Sequence, residues 1–139
     1  MISNVATAIM TKYNETPGGD ALRALMTGGL WFMEAPESTS APYGVFTWNG
    51  SNIDEIAGDR TNGIETANIT VSLFDSNDDG AARLFSITQA FIELFDWSTL
   101  TYPAGGYTHL EIQRTSAVNR GKIDNIWQVD LDYDVMYQH

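Results

Sequence analysis

Two short strings in this chain carry residues able to do chemistry. In Asp75-Ser76-Asn77-Asp78-Asp79-Gly80, acidic or amide side chains stand at alternate positions and glycine stands sixth, as a calcium loop begins. An EF-hand loop then needs a bidentate glutamate at its twelfth position, which is Ser86 here, and a helix before it where this chain alternates like a strand. Asp75, Asn77 and Asp79 therefore read as a metal decoy. An Asx-rich turn explains the string without an ion: Asp79 caps the helix that follows, and the acids complement its dipole.

The second string lies near the C-terminus. Trp127, Val129, Leu131, Tyr133 and Val135 share one face of a strand, and Gln128, Asp130, Asp132 and Asp134 share the other. Alternate side chains on a strand stand about 7 Å apart, so the three carboxylates repel one another with nothing local to neutralise them. As chemistry, Asp132 and a neighbour would be a carboxylate pair for hydrolysis, by acid/base or metal-assisted steps. Such pairs work in clefts with aromatic walls, and side chains in line on one strand make no cleft. The simpler reading is a solvent face. A more specific one is the lining of a channel that must not hold a polyanion.

No other catalytic pattern is present. There is no cysteine, which removes disulfides, thiolate nucleophiles and thiolate metal sites and fits a reducing compartment. The two histidines are His109, read as lying on a strand's polar face, and His139, the last residue. They are too few and too scattered for zinc. No Gly-x-Ser-x-Gly elbow and no phosphate loop occurs, and Asn68-Ile69-Thr70 is a glycosylation sequon inside a strand. The sequence predicts no enzyme, no cofactor and no metal.

Eighteen acidic residues against seven basic ones give a net charge of −11. Such a field repels anionic membranes and nucleic acid, so contact with DNA would be transient and non-specific. With seven cations spread along the chain, Trp31, Phe46, Trp97 and Trp127 read as core or interface anchors, not as base-stacking platforms. No apolar run is long enough to span a bilayer, and Thr7, Thr11 and Lys12 interrupt the layout of a signal peptide.

The elements that must position these groups follow from periodicity and turn chemistry. Ser3 caps a helix over residues 4–14, and Asp20 caps a shorter one over 21–27, so the N-terminal helical segment spans 3–27. Strands follow at 30–35 and 43–48. Residues 49–63 form a long polar loop with Asp54, Glu55, Asp59 and Arg60, read as an assembly loop. A half-buried strand at 64–74 alternates cleanly, with Ala67, Ile69, Val71 and Leu73 inward. The main helix covers 80–96, with Leu84, Ile87, Phe91, Ile92 and Phe95 as its buried stripe. A strand over 107–115 carries Leu110 and Ile112 inward, Asn119-Arg120-Gly121-Lys122 makes a turn, and the last strand runs over 125–137. The 139 residues are read as one α+β domain with sheet and main helix over 30–137. Its sheet is mostly antiparallel, of four to five strands, with one long helix packed across a face.

The order of these segments resembles the tail completion and tail terminator proteins of long-tailed bacteriophages. The likeness is carried by the N-terminal helix and the turn at Leu22 and Leu25, then by the strand Pro42-Tyr43-Gly44-Val45-Phe46 and a long polar loop. The alternating strand into the helix over 81–95 follows, and two final strands, the first with Leu110-Glu111-Ile112, complete it. It covers nearly the whole chain. The resemblance implies a structural virion protein, assembled in the host cytoplasm and placed at the tail–neck junction, with no catalytic residues. It implies a homo-oligomer, a hexameric ring that caps the tail tube and joins it to the neck or head-completion protein while DNA passes through. In that setting Asp130, Asp132 and Asp134 would face the channel, and the loop over 49–63 would reach a neighbour or the tail tube protein. A head-closure or neck connector protein is the near alternative. A calcium-dependent binding module using residues 75–80 is the alternative from another class.

Overall fold

The computed structural model describes residues 2–56, 59–78, 80–103 and 105–138, with side chains described for these except 2 and 54–62. The chain runs α1 (Ile2–Tyr13), α2 (Asp20–Leu25), β1 (Leu30–Phe32), β2 (Tyr43–Ile56), β3 (Asp59–Asp75), α3 (Ala82–Phe95), β4 (Thr108–Ile123) and β5 (Ile126–Gln138). Five strands form one sheet in the order β1-β2-β3-β5-β4. Only β1 and β2 run parallel; the other three pairings are antiparallel. The fold is α+β, with a mixed sheet and the helices on one of its faces.

Alternation decides that face. Ile69, Val71 and Leu73 of β3 and Leu131, Tyr133 and Val135 of β5 are buried, and Leu84, Ile87, Phe91 and Phe95 of α3 pack with them. Val5, Ala8 and Ile9 of α1 and Leu22 of α2 complete the core. Phe91 stacks on Phe95 with centroids 4.5 Å apart, and Phe91 also meets the ring of Tyr133. Full burial of an aromatic or aliphatic side chain contributes about 1.5–3 kcal/mol, so these two strands and α3 hold the molecule together.

Local chemistry shifts several boundaries from their sequence expectations. α1 begins before Ser3, whose carbonyl accepts the Thr7 hydroxyl at 2.8 Å, so Ser3 lies within the helix. At α2 the N-cap position is Gly19, and Asp20 sits in the first turn, paired with Arg23. β1 stops at Phe32 because Met33 turns to φ 67°. α3 starts at Ala82, with Ala81 at the N-cap and no side-chain cap; Asp79, the expected cap, lies outside the described residues. Gly28 is needed for close approach, since a Cβ there would meet the Ser40 carbonyl at 2.0 Å.

Two expectations are overturned. Residues 49–56 and 59–63 are not a loop: β2 and β3 continue as a hairpin, paired to Ile56↔Asp59, past Ile64↔Gln138, the last row of the β3–β5 pairing among the described residues. Beyond that row the hairpin is a two-stranded ribbon about 15 Å long. Nor do Asn119, Arg120, Gly121 and Lys122 form a turn. They belong to β4, and the turn is Asp124-Asn125, with φ 52° and 65°. Two positive-φ residues between antiparallel strands match strand twist, and Asp and Asn tolerate that conformation best after glycine. A register shift between His109 and Glu111 breaks the period of β4, so Ile112 is buried and Leu110 is exposed.

Candidate functional site

The face of the sheet away from the helices gathers the aspartates. β5 lies between β3 and β4, so each of the three has neighbours on both sides. Asp130 pairs across with Ser72 and Val118, Asp132 with Thr70 and Ser116, and Asp134 with Asn68 and Gln113.

These carboxylates are not bare. The Thr70 hydroxyl donates to Asp132 Oδ1 at 2.6 Å and the Ser116 hydroxyl to Oδ2 at 2.9 Å. Asn68 Nδ2 donates to Asp134 Oδ1 at 3.2 Å. Asn49 Nδ2, on β2, donates to Asn68 Oδ1 at 2.7 Å and to Thr70 at 2.6 Å. A polar network thus crosses β2, β3, β5 and β4. Asp130 accepts from Arg120 Nε at 2.8 Å and from Gln128 Nε2 at 2.9 Å. Burial pushes the Asp130 carboxyl up, but hydrogen bonds from Gln128, Arg120 and Ser72, with the Arg120 charge, outweigh it and hold the group below its ordinary value. The expectation that nothing local offsets the stripe is therefore corrected: one guanidinium and a row of hydroxyls and amides do so.

Chemically this is a fixed, negative surface: both carboxylate oxygens of Asp130 and of Asp132, and Oδ1 of Asp134, already hold donors. Among the described residues no group of three or more His, Cys, Asp or Glu could hold a metal ion.

The decoy string is dispersed. Asp75, at the end of β3, is wholly buried and takes both Nε and Nη2 of Arg83, the former at 2.8 Å. A calcium ion would have to displace that guanidinium from its first ligand. The Asn77 carbonyl accepts the Trp127 indole N–H at 3.2 Å. Asp54, Glu55, Asp59 and Arg60 have backbones in the ribbon strands, and their side chains lie outside the described residues.

Other placements differ from expectation. His109 pairs with Tyr137 and faces the helix side, not the polar face; its Nε2 lies 2.9 Å from the Ser98 carbonyl. Of the aromatics read as core or interface anchors, Phe46 is fully buried in the core, whereas Trp97, 68% exposed, and Trp31 are not core residues, which leaves the interface reading untouched. Sequence reasoning also missed an inner polar triad: the Tyr133 hydroxyl donates to Asp96 Oδ1 at 2.6 Å, and Arg114 Nε donates to Oδ2 at 3.1 Å. It missed Glu65 as well, which is 4% exposed and hydrogen-bonded by Tyr137. Its phase two residues before Ala67 was the available signal. A groove of about 380 Å³ runs between the first two helices and α3, and its Asp96 is committed to the triad. Among the described residues, no helix is long and apolar enough to cross a membrane.

No protein-family model and no curated protein sequence matches the chain. Solved structures do. A chain of the virion of a native gene transfer agent (GTA) particle superposes with TM-score 0.75 at 14% identity, over 99% of this chain and 97% of that one. A second solved chain matches with TM-score 0.58 at 16% identity, over 97% and 95%. At these identities the likeness is one of fold.

Proposed function

We propose that the chain is a structural virion protein, a tail terminator or completion subunit that forms a ring on the tail tube and joins it to the neck while DNA passes through. The supporting observation is the fold match to a chain of a gene transfer agent virion, over 99% of this chain and 97% of that one. A second support is the open face itself: a negative polar network in which most carboxylate oxygens already hold donors suits a surface past which a polyanion slides. In this reading Asp130, Asp132 and Asp134 face the channel. The ribbon over 49–63, carrying Asp54, Glu55, Asp59 and Arg60, reaches a neighbouring copy or the tail tube. A two-stranded ribbon is marginally stable on its own and gains from a partner surface. The subunit works as a homo-oligomer with a tail tube protein and a neck protein as partners, in the virion, and is not an enzyme.

Light scattering and electron microscopy of the pure chain, alone and with tail tubes, test this. Rings of six, or a monomer that assembles only on tube ends, are expected. A strict monomer indifferent to tubes would overturn the reading.

A further inference from the structure

The two edges of the sheet differ in charge and are aligned across it. Between Arg23 and Arg60 the sequence has no lysine or arginine, and the segment after β1 carries Glu34 and Glu37. Trp31, Glu34, Pro36 and Glu37 are exposed and line a shallow groove of about 260 Å³ at the β1 edge. The opposite edge is β4, which carries three of the seven cations, Arg114, Arg120 and Lys122, against one acid, Glu111. Arg120 is exposed beside Val118, an apolar side chain 38% exposed, and Lys122, also exposed, pairs with Trp127 and holds its Nζ 5.7 Å from that ring on the other face of the same edge.

Register places these features in line. Trp31 pairs with Val45, Val45 with Ser72, Ser72 with Asp130, and Asp130 with Val118. Trp31 and Val118 are therefore the two ends of one transverse row on the open face. The strand directions at the two edges are also opposed: β1 runs with β2 and β5, whereas β4 runs against them. A rotation that carries one copy beside the next, without turning it over, sets β4 of one antiparallel to β1 of the other. Such a contact is heterologous and closes into a ring when the rotation divides a full turn.

We propose that the occupant of the Trp31–Glu34–Glu37 groove is a second copy of this chain, docking Val118 and Arg120 from its β4 edge, with Lys122 adding positive charge from the helix side of that edge. The planar guanidinium of Arg120 would stack on the Trp31 indole and pair with the glutamates. The contact keeps the aspartate faces of successive copies on one side, and it deepens the ring reading above, on which it rests.

The test is charge reversal at each edge, read by light scattering on full-length chain. E34K/E37K makes both edges positive and R120E/K122E makes both negative, so each alone should associate at least about tenfold more weakly than wild type. Mixing the two should restore assembly, with the copies alternating around the ring. Raising the salt should weaken the wild-type assembly. Arg120 also touches Asp130, so thermal melting checks that R120E/K122E still folds. Trp31→Ala, exposed and at the other edge, is the second variant and should weaken assembly without that risk. If wild type forms rings and these variants assemble equally well, or mixing rescues nothing, the edge contact is wrong while the ring reading stands. If wild type never self-associates, on or off tubes, both fall.

Discussion

Arg83, in the first turn of α3, grips the wholly buried carboxylate of Asp75 at the end of β3. The strand-to-helix connection is thereby closed by a charge pair rather than by an N-cap side chain, since Ala81 supplies none. Removing one member strands a buried charge. Arg83→Ala should cost about 2–4 kcal/mol, towards the lower part of the range for buried pairs because Arg83 itself is partly solvated. Urea unfolding measures it, and a loss below about 0.5 kcal/mol would show that water takes over the Asp75 oxygens. The same geometry predicts no calorimetric heat and no melting shift on adding calcium.

Tyr133 and Asp96 make the second inner contact that matters. Burial pushes the Tyr133 phenol far above its ordinary value, and its hydrogen bond to Asp96 adds to this, so it stays a donor throughout the working range. Tyr133→Phe removes the donor and leaves Asp96 to Arg114 alone. The expected loss is about 1–2 kcal/mol, the value of a hydrogen bond to a charged acceptor. Thermal melting should show it with the far-UV dichroism unchanged.

Much of this architecture is legible in the sequence, and the failures have physical causes. β3, α3 and β5 were readable because each buries one face fully, so Ile69, Leu84, Phe91 and Leu131 recur at the period of their element. The ribbon over 49–63 was unreadable because its described side chains at 49–53 are mostly exposed, and a strand without a buried face leaves no apolar alternation. β4 failed differently. Register shifts at His109/Glu111, Arg114/Ser116 and Asn119/Gly121 each break its period of two, so Arg120-Gly121 imitates a turn. The aspartate stripe itself was visible. Its donors, Thr70, Ser116 and Asn68, come from strands far away in sequence, and only the pairing register brings them to it.

Stability should depend on pH through His109. Burial lowers its pKa from 6.5, and the Ser98 carbonyl and the Glu111 charge only partly oppose this. The folded chain thus holds the ring neutral where the unfolded chain has taken up a proton. Stability from this group is full above pH 6.5 and falls as pH drops below that value, levelling off once the folded histidine titrates. Melting curves between pH 8 and 5 should show the decline, with a slope no greater than about 1.4 kcal/mol per pH unit. His109→Gln should flatten it. A further fall in stability as pH drops through the lowered folded pKa of Asp130 should remain in that variant.

The aspartate face can be tested apart from assembly, because its charge and its hydrogen bonding can be separated. Asp132→Asn and Asp134→Asn remove two negative charges from the open face while keeping polar partners: the amide oxygen at 132 still accepts from Thr70, its N–H donates to the Ser116 hydroxyl in place of the lost acceptor, and the amide oxygen at 134 still accepts from Asn68. Asp130 is left alone, since its partner Arg120 would be freed by neutralisation and become a phosphate ligand of its own. If the face lines a DNA passage, the double variant should form the same assemblies but hold duplex DNA more tightly. The steepest gain is expected at low ionic strength, where screening is weakest. Retention of DNA on assembled rings, measured against salt, reads this directly. Equal retention by wild type and variant at about 10 mM salt, where the Debye length is about 30 Å, would place the aspartates away from any DNA path. In that case their network with Thr70, Ser116 and Asn68 serves only to hold the sheet in register.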